Sequence, residues 1–128
     1  MENQNKLSVQ RFFQLAASGE RAAIEDMMHD DICVFEAESL PFGGEHRGKD
    51  AFFALVRRVF GNWSEVELET EHYVAEGDRV VALVNFRARS RRTGEPFCMP
   101  LAEVWTFRDG KIAEIRPYYF DTKRMIEL

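Results

Sequence analysis

Cysteine and histidine are scarce in this sequence, which has two cysteines and three histidines among 128 residues. Neither cysteine belongs to a C-x-x-C pair, the histidines do not stand at H-E-x-x-H spacing, and no glycine-rich phosphate loop occurs. We therefore expect no metal and no cofactor. Cys33 and Cys98 lie in apolar runs, so we expect both to be small buried side chains.

The sequence also lacks a long apolar run and an excess of basic residues. No segment reaches the length of a membrane-spanning helix and the N-terminus is polar, which predicts no membrane span and a cytoplasmic location. Lys and Arg number 17 against 22 Asp and Glu, a net charge of −5. Nucleic-acid binding needs a concentrated basic face, so we expect no nucleic-acid partner. The length suits one domain with its own core.

The hydrophobic pattern changes from a helical period to a strand period along the chain. It predicts helices over 7–17, 20–28 and 50–60, and a short strand over 32–36. After Gly61 the period becomes two, and Val66 and Leu68 belong to the predicted buried face of the next strand. Three more strands follow, over 79–91, 96–107 and 111–120. Helices followed by antiparallel strands predict an α+β fold, in which a curled sheet and its helices enclose an apolar cavity.

An acid stands in the middle of the apolar stretch MPLAEVWTF. Alternation places Glu103 on the same strand face as Leu101, Trp105 and Phe107. A carboxyl on such a face is paired, neutral or wet, because burying an unpaired charge is costly. Two interpretations follow. Glu103 either faces a cavity as a neutral acid with a raised pKa, or it forms an ion pair with an arginine, Arg87 or Arg116.

Three stretches, FFQLAASGERAAIEDMMHDDICVFEAE, HRGKDAFFALV and VWTFRDGKIAEIRPYYFD, resemble the nuclear transport factor 2-like superfamily. Within it they are similar to the ketosteroid isomerase and SnoaL-like polyketide cyclase branches. The resemblance implies a cone-shaped, curved antiparallel or mixed sheet packed against three N-terminal helices, a cystatin-like α+β roll, with residues 1–128 as one domain. It also implies a homodimer formed through the sheet. The superfamily includes enzymes and proteins that only bind, so the fold alone does not specify an activity.

The same resemblance implies roles for three residues and the absence of one family residue. Glu36 matches the general base that follows the first strand in ketosteroid isomerases, and Glu103 matches their protonated carboxyl group that stabilises an oxyanion. Asp121 matches an aspartate at the end of the last strand in SnoaL-like cyclases. The isomerases also carry a tyrosine donor on the first helix, and Phe12 stands at that position, so this donor is missing.

Each candidate also has a structural interpretation. Glu36 is equally interpretable as an exposed acid at a strand end, and Asp121 as the N-cap of a short C-terminal helix. His46, in the predicted loop before the third helix, is either a base at neutral pH or a solvated side chain. The side chains expected to line a ligand site, or else to belong to the core, are Phe12, Leu101, Trp105, Phe107 and Tyr119.

Two functions remain open on the sequence alone. The first is a cofactor-independent enzyme that binds a small apolar carbonyl compound, with Glu36 or Asp121 as base and protonated Glu103 stabilising an enolate. The second is a non-catalytic module that binds a hydrophobic ligand, or a dimeric interaction domain that uses an exposed strand face such as Val80, Ala82 and Val84. The first requires a neutral Glu103, and the second an ion-paired one.

Overall fold

A curved sheet of six strands, covered by helices on one face, forms the framework of the protein. The computed structural model describes residues 3–128. Its elements are α1 (Gln4–Ala17), α2 (Arg21–Met27), β1 (Met28–Glu36), β2 (Gly44–Arg47), α3 (Lys49–Phe60), β3 (Trp63–Glu76), β4 (Arg79–Ser90), β5 (Pro96–Arg108), β6 (Lys111–Tyr119) and α4 (Thr122–Glu127). The strand order is β2-β1-β6-β5-β4-β3, with β1 and β6 parallel and the other neighbours antiparallel. The predicted α+β class and curved, mixed sheet are confirmed, and the structure shows that the sheet is open, with β2 and β3 as its edges.

The three predicted N-terminal helices are present within a few residues of their expected ends. The side chain of Asn3 caps α1 by accepting hydrogen bonds from the backbone N–H groups of Asn5 and Lys6. In α3 an apolar stripe that includes Phe52, Leu55 and Val59 packs on the sheet, while Arg57 and Arg58 lie outward near its C-terminus. None of the helices over residues 3–128 is long and apolar enough to cross a membrane.

The segment around His46 is a strand, and its prediction as a loop is wrong. In β2 the backbone pairs antiparallel with β1, and His46 lies opposite Val34. Its Nε2 atom lies 2.8 Å from the carbonyl oxygen of Phe42, which orients the ring. Four residues are too few to show a hydrophobic period, so only pairing with β1 makes this segment a strand.

The first long strand also departs from its pattern. We predicted Val66 and Leu68 on a buried face, but their side chains are exposed. Irregular pairing between Ser64 and Glu67, and again near His72, breaks the strict alternation along β3. As an edge strand, β3 also has sheet on one side only.

The two faces of β4 and β5 are assigned clearly by burial. Val80, Ala82 and Val84 are buried on the inner face of the sheet, so their predicted exposure is wrong. The outer face of β4 instead carries Leu83, which is exposed. Cys98 lies on the exposed side of β5, which corrects its predicted burial, whereas Cys33 is buried as predicted.

Candidate functional site

An apolar cavity of about 320 Å³ lies between the helices and the inner face of the sheet. Aromatic rings form much of its wall, and the ring centroids of Phe12 and Trp105 are 4.9 Å apart in an edge-to-face contact. Phe52 packs on Phe12 from α3. Such a volume and such a wall are typical of sites that bind small, largely apolar molecules.

The structure brings most of the predicted site residues together at this cavity. Those that line it are Phe12, Glu36, Leu101, Glu103, Trp105 and Tyr119. Three others lie elsewhere. Phe107 is buried in the core, His46 lies on β2 against the carbonyl of Phe42, and Asp121 is an exposed residue before α4.

Asp121 caps a helix, as one of its two interpretations proposed. Its carboxylate accepts a hydrogen bond of 3.0 Å from the backbone N–H of Arg124 in the first turn of α4. Asp121 lies beyond the last strand, because β6 ends at Tyr119. Among residues 3–128, no group of three or more His, Cys, Asp or Glu side chains is arranged to hold a metal ion.

Glu103 faces the cavity from the middle of β5, without an ion-pair partner among residues 3–128. Its Oε1 atom is buried and has no hydrogen bond to any residue that the structure describes. The two arginines proposed as ion-pair partners lie on the other face of the sheet: Arg116 is opposite Val104, and Arg87 is opposite Cys98. Residues of opposite parity on paired strands point to opposite faces, so the ion-pair interpretation of Glu103 is wrong.

Glu36 approaches the same cavity from the end of β1. It is 7% exposed, and its Oε1 atom also lacks a hydrogen-bond partner within the described part of the chain, so its interpretation as an exposed acid is wrong. Val34 pairs with Ile115, and continuing this register places Glu36 beside Pro117. Pro117 is opposite Glu103 on its other side. The two acids thus flank one strand, with backbones about 10 Å apart.

Burial raises the pKa of both carboxyl groups. It raises the pKa of Glu36 to about 8, and the charge of Glu103 adds to the effect. Burial also raises the pKa of Glu103 to about 7, against the opposing effect of the nearby indole N–H of Trp105. Trp105 Nε1 has no hydrogen-bond partner within the described part of the chain. Because each acid disfavours ionisation of the other, the pair retains a proton near neutral pH.

Tyr119 adds a hydroxyl group to the same wall. It pairs opposite Leu101 and lines the cavity, whereas the adjacent Tyr118 points outward and is exposed, as alternation requires. Burial raises the pKa of Tyr119, and the charges of Glu36 and Glu103 raise it further. The hydroxyl therefore remains protonated and can donate a hydrogen bond.

A second, more polar cavity of about 330 Å³ adjoins the first. Its lining includes Glu38, Glu45 and Arg116, and it shares Glu36, Pro117 and Tyr119 with the apolar cavity. Glu36 thus lies at the boundary between an apolar compartment and a polar one. No pattern in the sequence signals this position, because it depends on how β1, β2 and β6 meet.

Sequence reasoning missed many residues of the apolar cavity, among them Arg21 and Phe53. Phe53 follows Phe52 in α3, and both are buried and line the cavity. The face of α3 that meets the cavity is therefore wider than a single helical stripe. Arg21 is the first residue of α2, and its guanidinium carbon lies 4.0 Å from the ring centroid of Phe53. The adjacent phenylalanines in α3 could have predicted Phe53 as a lining residue, whereas no local sequence pattern predicts Arg21 at the cavity.

Comparison with known proteins agrees with this architecture. A family model described as the SnoaL-like domain matches residues 9–115. An NTF2-like protein of unknown function from Burkholderia pseudomallei K96243 superposes with a TM-score of 0.88 at 22% identity, covering 99% of this chain and 98% of that one. A putative SnoaL-like polyketide cyclase from Jannaschia sp. CCS1 superposes with a TM-score of 0.83 at 20% identity, covering 95% of this chain and 89% of that one. TerC, co-crystallized with polyporic acid, superposes with a TM-score of 0.84 at 23% identity, covering 98% of this chain and 100% of that one. No curated protein matches the sequence.

Proposed function

Because this chain belongs to the SnoaL-like domain family, we propose that it is a cofactor-independent enzyme that moves a proton next to the carbonyl group of a small apolar compound. One observation carries the proposal. Glu36 and Glu103 line one apolar cavity, each with a buried carboxyl oxygen, and neither is paired with a cation among the described residues. A fold gains nothing in stability from two such acids, and perturbed carboxyls in a cavity are typical of catalytic sites.

The chemistry follows from dividing one proton between two acids. In the active form Glu36 is ionised and Glu103 is protonated. Because the pKa of Glu36 is the higher of the two, about 8 against about 7, this is the less populated of the two one-proton forms in the empty cavity. A bound carbonyl oxygen that accepts a hydrogen bond from protonated Glu103 favours it. The Glu36 carboxylate takes a proton from the carbon beside the carbonyl, and the electron pair of that C–H bond passes to the carbonyl oxygen as an enolate. Glu103 donates a hydrogen bond to that oxygen, in a dry site where an aimed donor is most effective. Glu36 then returns the proton to a carbon atom of the product.

Tyr119 offers a second donor for the enolate oxygen. The position of the isomerases' tyrosine is occupied by Phe12, which has no hydroxyl group. Tyr119 reaches the cavity from β6, beside both acids, and its raised pKa keeps it protonated. We assign it this role because an oxyanion held by two donors is better stabilised than one held by a single donor.

Non-catalytic binding of a small ligand is the competing function. The co-crystallization of TerC with polyporic acid supports a small ligand in a cone of this shape. A pure binding site needs volume and an apolar wall but no pair of proton-exchanging acids. The two functions therefore differ in what happens to a bound ketone, and not in whether it binds.

Deuterium exchange into an enolisable apolar ketone tests the proposal. With 2-tetralone in heavy water, we expect the native protein to speed incorporation of deuterium beside the carbonyl. Glu36→Gln and Glu103→Gln should each slow this by about a hundredfold or more, because a general acid or base is lost. Asp121→Asn, which keeps a side-chain oxygen for capping α4, should retain the native rate. Mass spectrometry of the ketone measures the exchange.

Binding of the ketone without accelerated exchange would contradict the proposal and favour the binding module. Ketone binding is followed separately, through quenching of the fluorescence of Trp105 in the cavity wall. A ketone that quenches native protein and Glu36→Gln equally, yet exchanges equally slowly in both, is bound but not turned over. Trp63→Phe removes the other tryptophan, so the signal comes from the cavity alone.

We also propose that two copies associate through the outer face of the sheet. Across the paired strands, Leu83, Ala102 and Tyr118 form one row on this face, beside Val81 and Val104 in the next. Leu83 and Tyr118 are exposed large side chains. A second copy would cover this patch by the same residues, in an isologous pair.

Substitution of Leu83 by arginine should separate the two copies. Sedimentation equilibrium is expected to give a dimer for the native protein and a monomer for Leu83→Arg, because a charge in an apolar contact is left without water or a partner. Arg87→Glu, on the same strand face but outside the patch, should remain dimeric. A native protein that sediments as a monomer at all accessible concentrations would refute this assembly.

A further inference from the structure

Of the side chains that the structure describes, a single positively charged one lies at the mouth of the apolar cavity. Several lining residues are also exposed and so mark the mouth; they include Ala16, Gly19, Arg21 and Leu68. Within residues 3–128, Arg21 is the only lysine or arginine that lines this cavity. The two acids, Glu36 and Glu103, belong to the wall formed by the sheet, whereas Arg21 belongs to the wall formed by the helices. A ligand that fills the cavity thus meets acids at the sheet and a cation at the helices.

The guanidinium group of Arg21 is held in place, and part of its hydrogen-bonding capacity is left for a ligand. It stacks on the ring of Phe53, with 4.0 Å between its carbon and the ring centroid. Its Nε atom lies 3.3 Å from Oε1 of Glu25, one turn later in α2. Both side chains of that pair are about half exposed, and an exposed pair at this helical spacing is weak. The two terminal nitrogens make no hydrogen bond to any described residue.

We propose that Arg21 binds an anionic group at the outer end of the ligand, which makes the ligand an amphipathic organic acid with an apolar body. A carboxylate or sulfonate inside the cavity would lose its water and face Glu36 and Glu103. At the mouth the same anion keeps part of its hydration. There it meets a planar fork of N–H donors whose geometry matches two oxygens, already oriented by the ring of Phe53.

This arrangement orients the ligand as well as selecting it. With its anion at Arg21, the apolar body lies in the cavity and the far end reaches the sheet wall, where Glu36 and Glu103 stand. The inference rests on the proposed function only for what happens at that far end. Selection of an anion at the mouth is a property of Arg21 and is measurable without any turnover.

Two fluorescent probes that differ by one anionic group test this assignment. They are 8-anilinonaphthalene-1-sulfonate and N-phenyl-1-naphthylamine, which have the same aromatic skeleton with and without a sulfonate. We expect Arg21→Gln to weaken binding of the sulfonate about tenfold and to leave the neutral probe within about twofold, since only the first loses a charge-assisted contact. Added salt should weaken sulfonate binding to the native protein but not to Arg21→Gln.

Three further variants make the result specific. Arg11→Gln removes an exposed arginine of α1 that does not line the cavity, and it should bind both probes like the native protein. Arg21→Lys keeps the charge without the fork and should fall between native and Arg21→Gln. Ala16→Trp fills the mouth from an exposed helix position and should weaken both probes, which shows that they enter this cavity.

Equal loss of both probes in Arg21→Gln would overturn the assignment, as would an unchanged affinity for the sulfonate or failure of both probes to bind. These outcomes are distinct from failure of the proposed function. A protein that selects the sulfonate through Arg21 but exchanges no ketone deuterium keeps the anion site and loses the acid–base chemistry. A protein that exchanges deuterium without anion selection shows the converse.

Discussion

Raising the pH from 5 to 9 is expected to destabilise this protein, and Glu36→Gln is expected to remove much of that loss. The unfolded chain releases the Glu36 proton near pH 4.5, whereas the folded protein holds it until about pH 8. Between these values the native state binds more protons, so the free energy of unfolding falls as pH rises. A shift of this size corresponds to a loss on the order of 5 kcal/mol, since each pKa unit is worth about 1.4 kcal/mol.

Urea denaturation of native and variant protein at a series of pH values measures the effect. Glu36→Gln has no proton to lose, so its stability should decline much less and should exceed that of the native protein at pH 9. Glu103→Gln should act in the same direction over a window that ends near pH 7. Glu38→Gln, an exposed acid two residues away, is the matched control and should follow the native curve. Parallel curves for native protein and Glu36→Gln would mean that Glu36 ionises in the folded state as freely as in the unfolded one.

Removal of the Trp105 side chain is expected to cost about 3–5 kcal/mol of unfolding free energy, the range for truncating a large buried aromatic residue. Trp105 is 1% exposed and packs edge-to-face on Phe12 and Phe13. The existing cavity beside it cannot collapse without moving α1. Trp105→Ala therefore leaves a larger void as well as losing apolar burial, and urea denaturation measures the sum.

Trp105→Phe separates packing from electrostatics at the same position. It keeps an aromatic ring but removes the indole N–H, which opposes the raised pKa of Glu103. We expect a smaller loss of stability and a further rise in the pKa of Glu103, followed by carbon-detected NMR of its carboxyl group. Trp63→Phe, at a buried tryptophan that does not line the cavity, should leave the Glu103 titration unchanged. A loss below about 1 kcal/mol in Trp105→Ala would show that the wall repacks freely.

Local patterns were sufficient where a residue's neighbours along the chain decide its environment. The helical stripe of α3 and the alternation of β5 each repeat over many residues, so periodicity placed both elements. The same alternation put Glu103 beside Leu101 and Trp105 on the inner face, and the structure agrees. Periodicity failed at β2, which is too short to show one, and along β3, where irregular pairing interrupts it.

Local sequence patterns specify the α+β class, the three N-terminal helices and the presence of an acid on the apolar face of β5. These features depend on side-chain periods of about 3.6 residues in helices and 2 in strands, which residues close together along the chain reveal. Three features follow from tertiary packing alone. Glu103 has no arginine partner among the described residues, Glu36 and Glu103 lie on either side of Pro117, and Arg21 stands at the mouth of the cavity. Those relations depend on strand register and on the parallel pairing of β1 with β6, which join residues far apart along the chain.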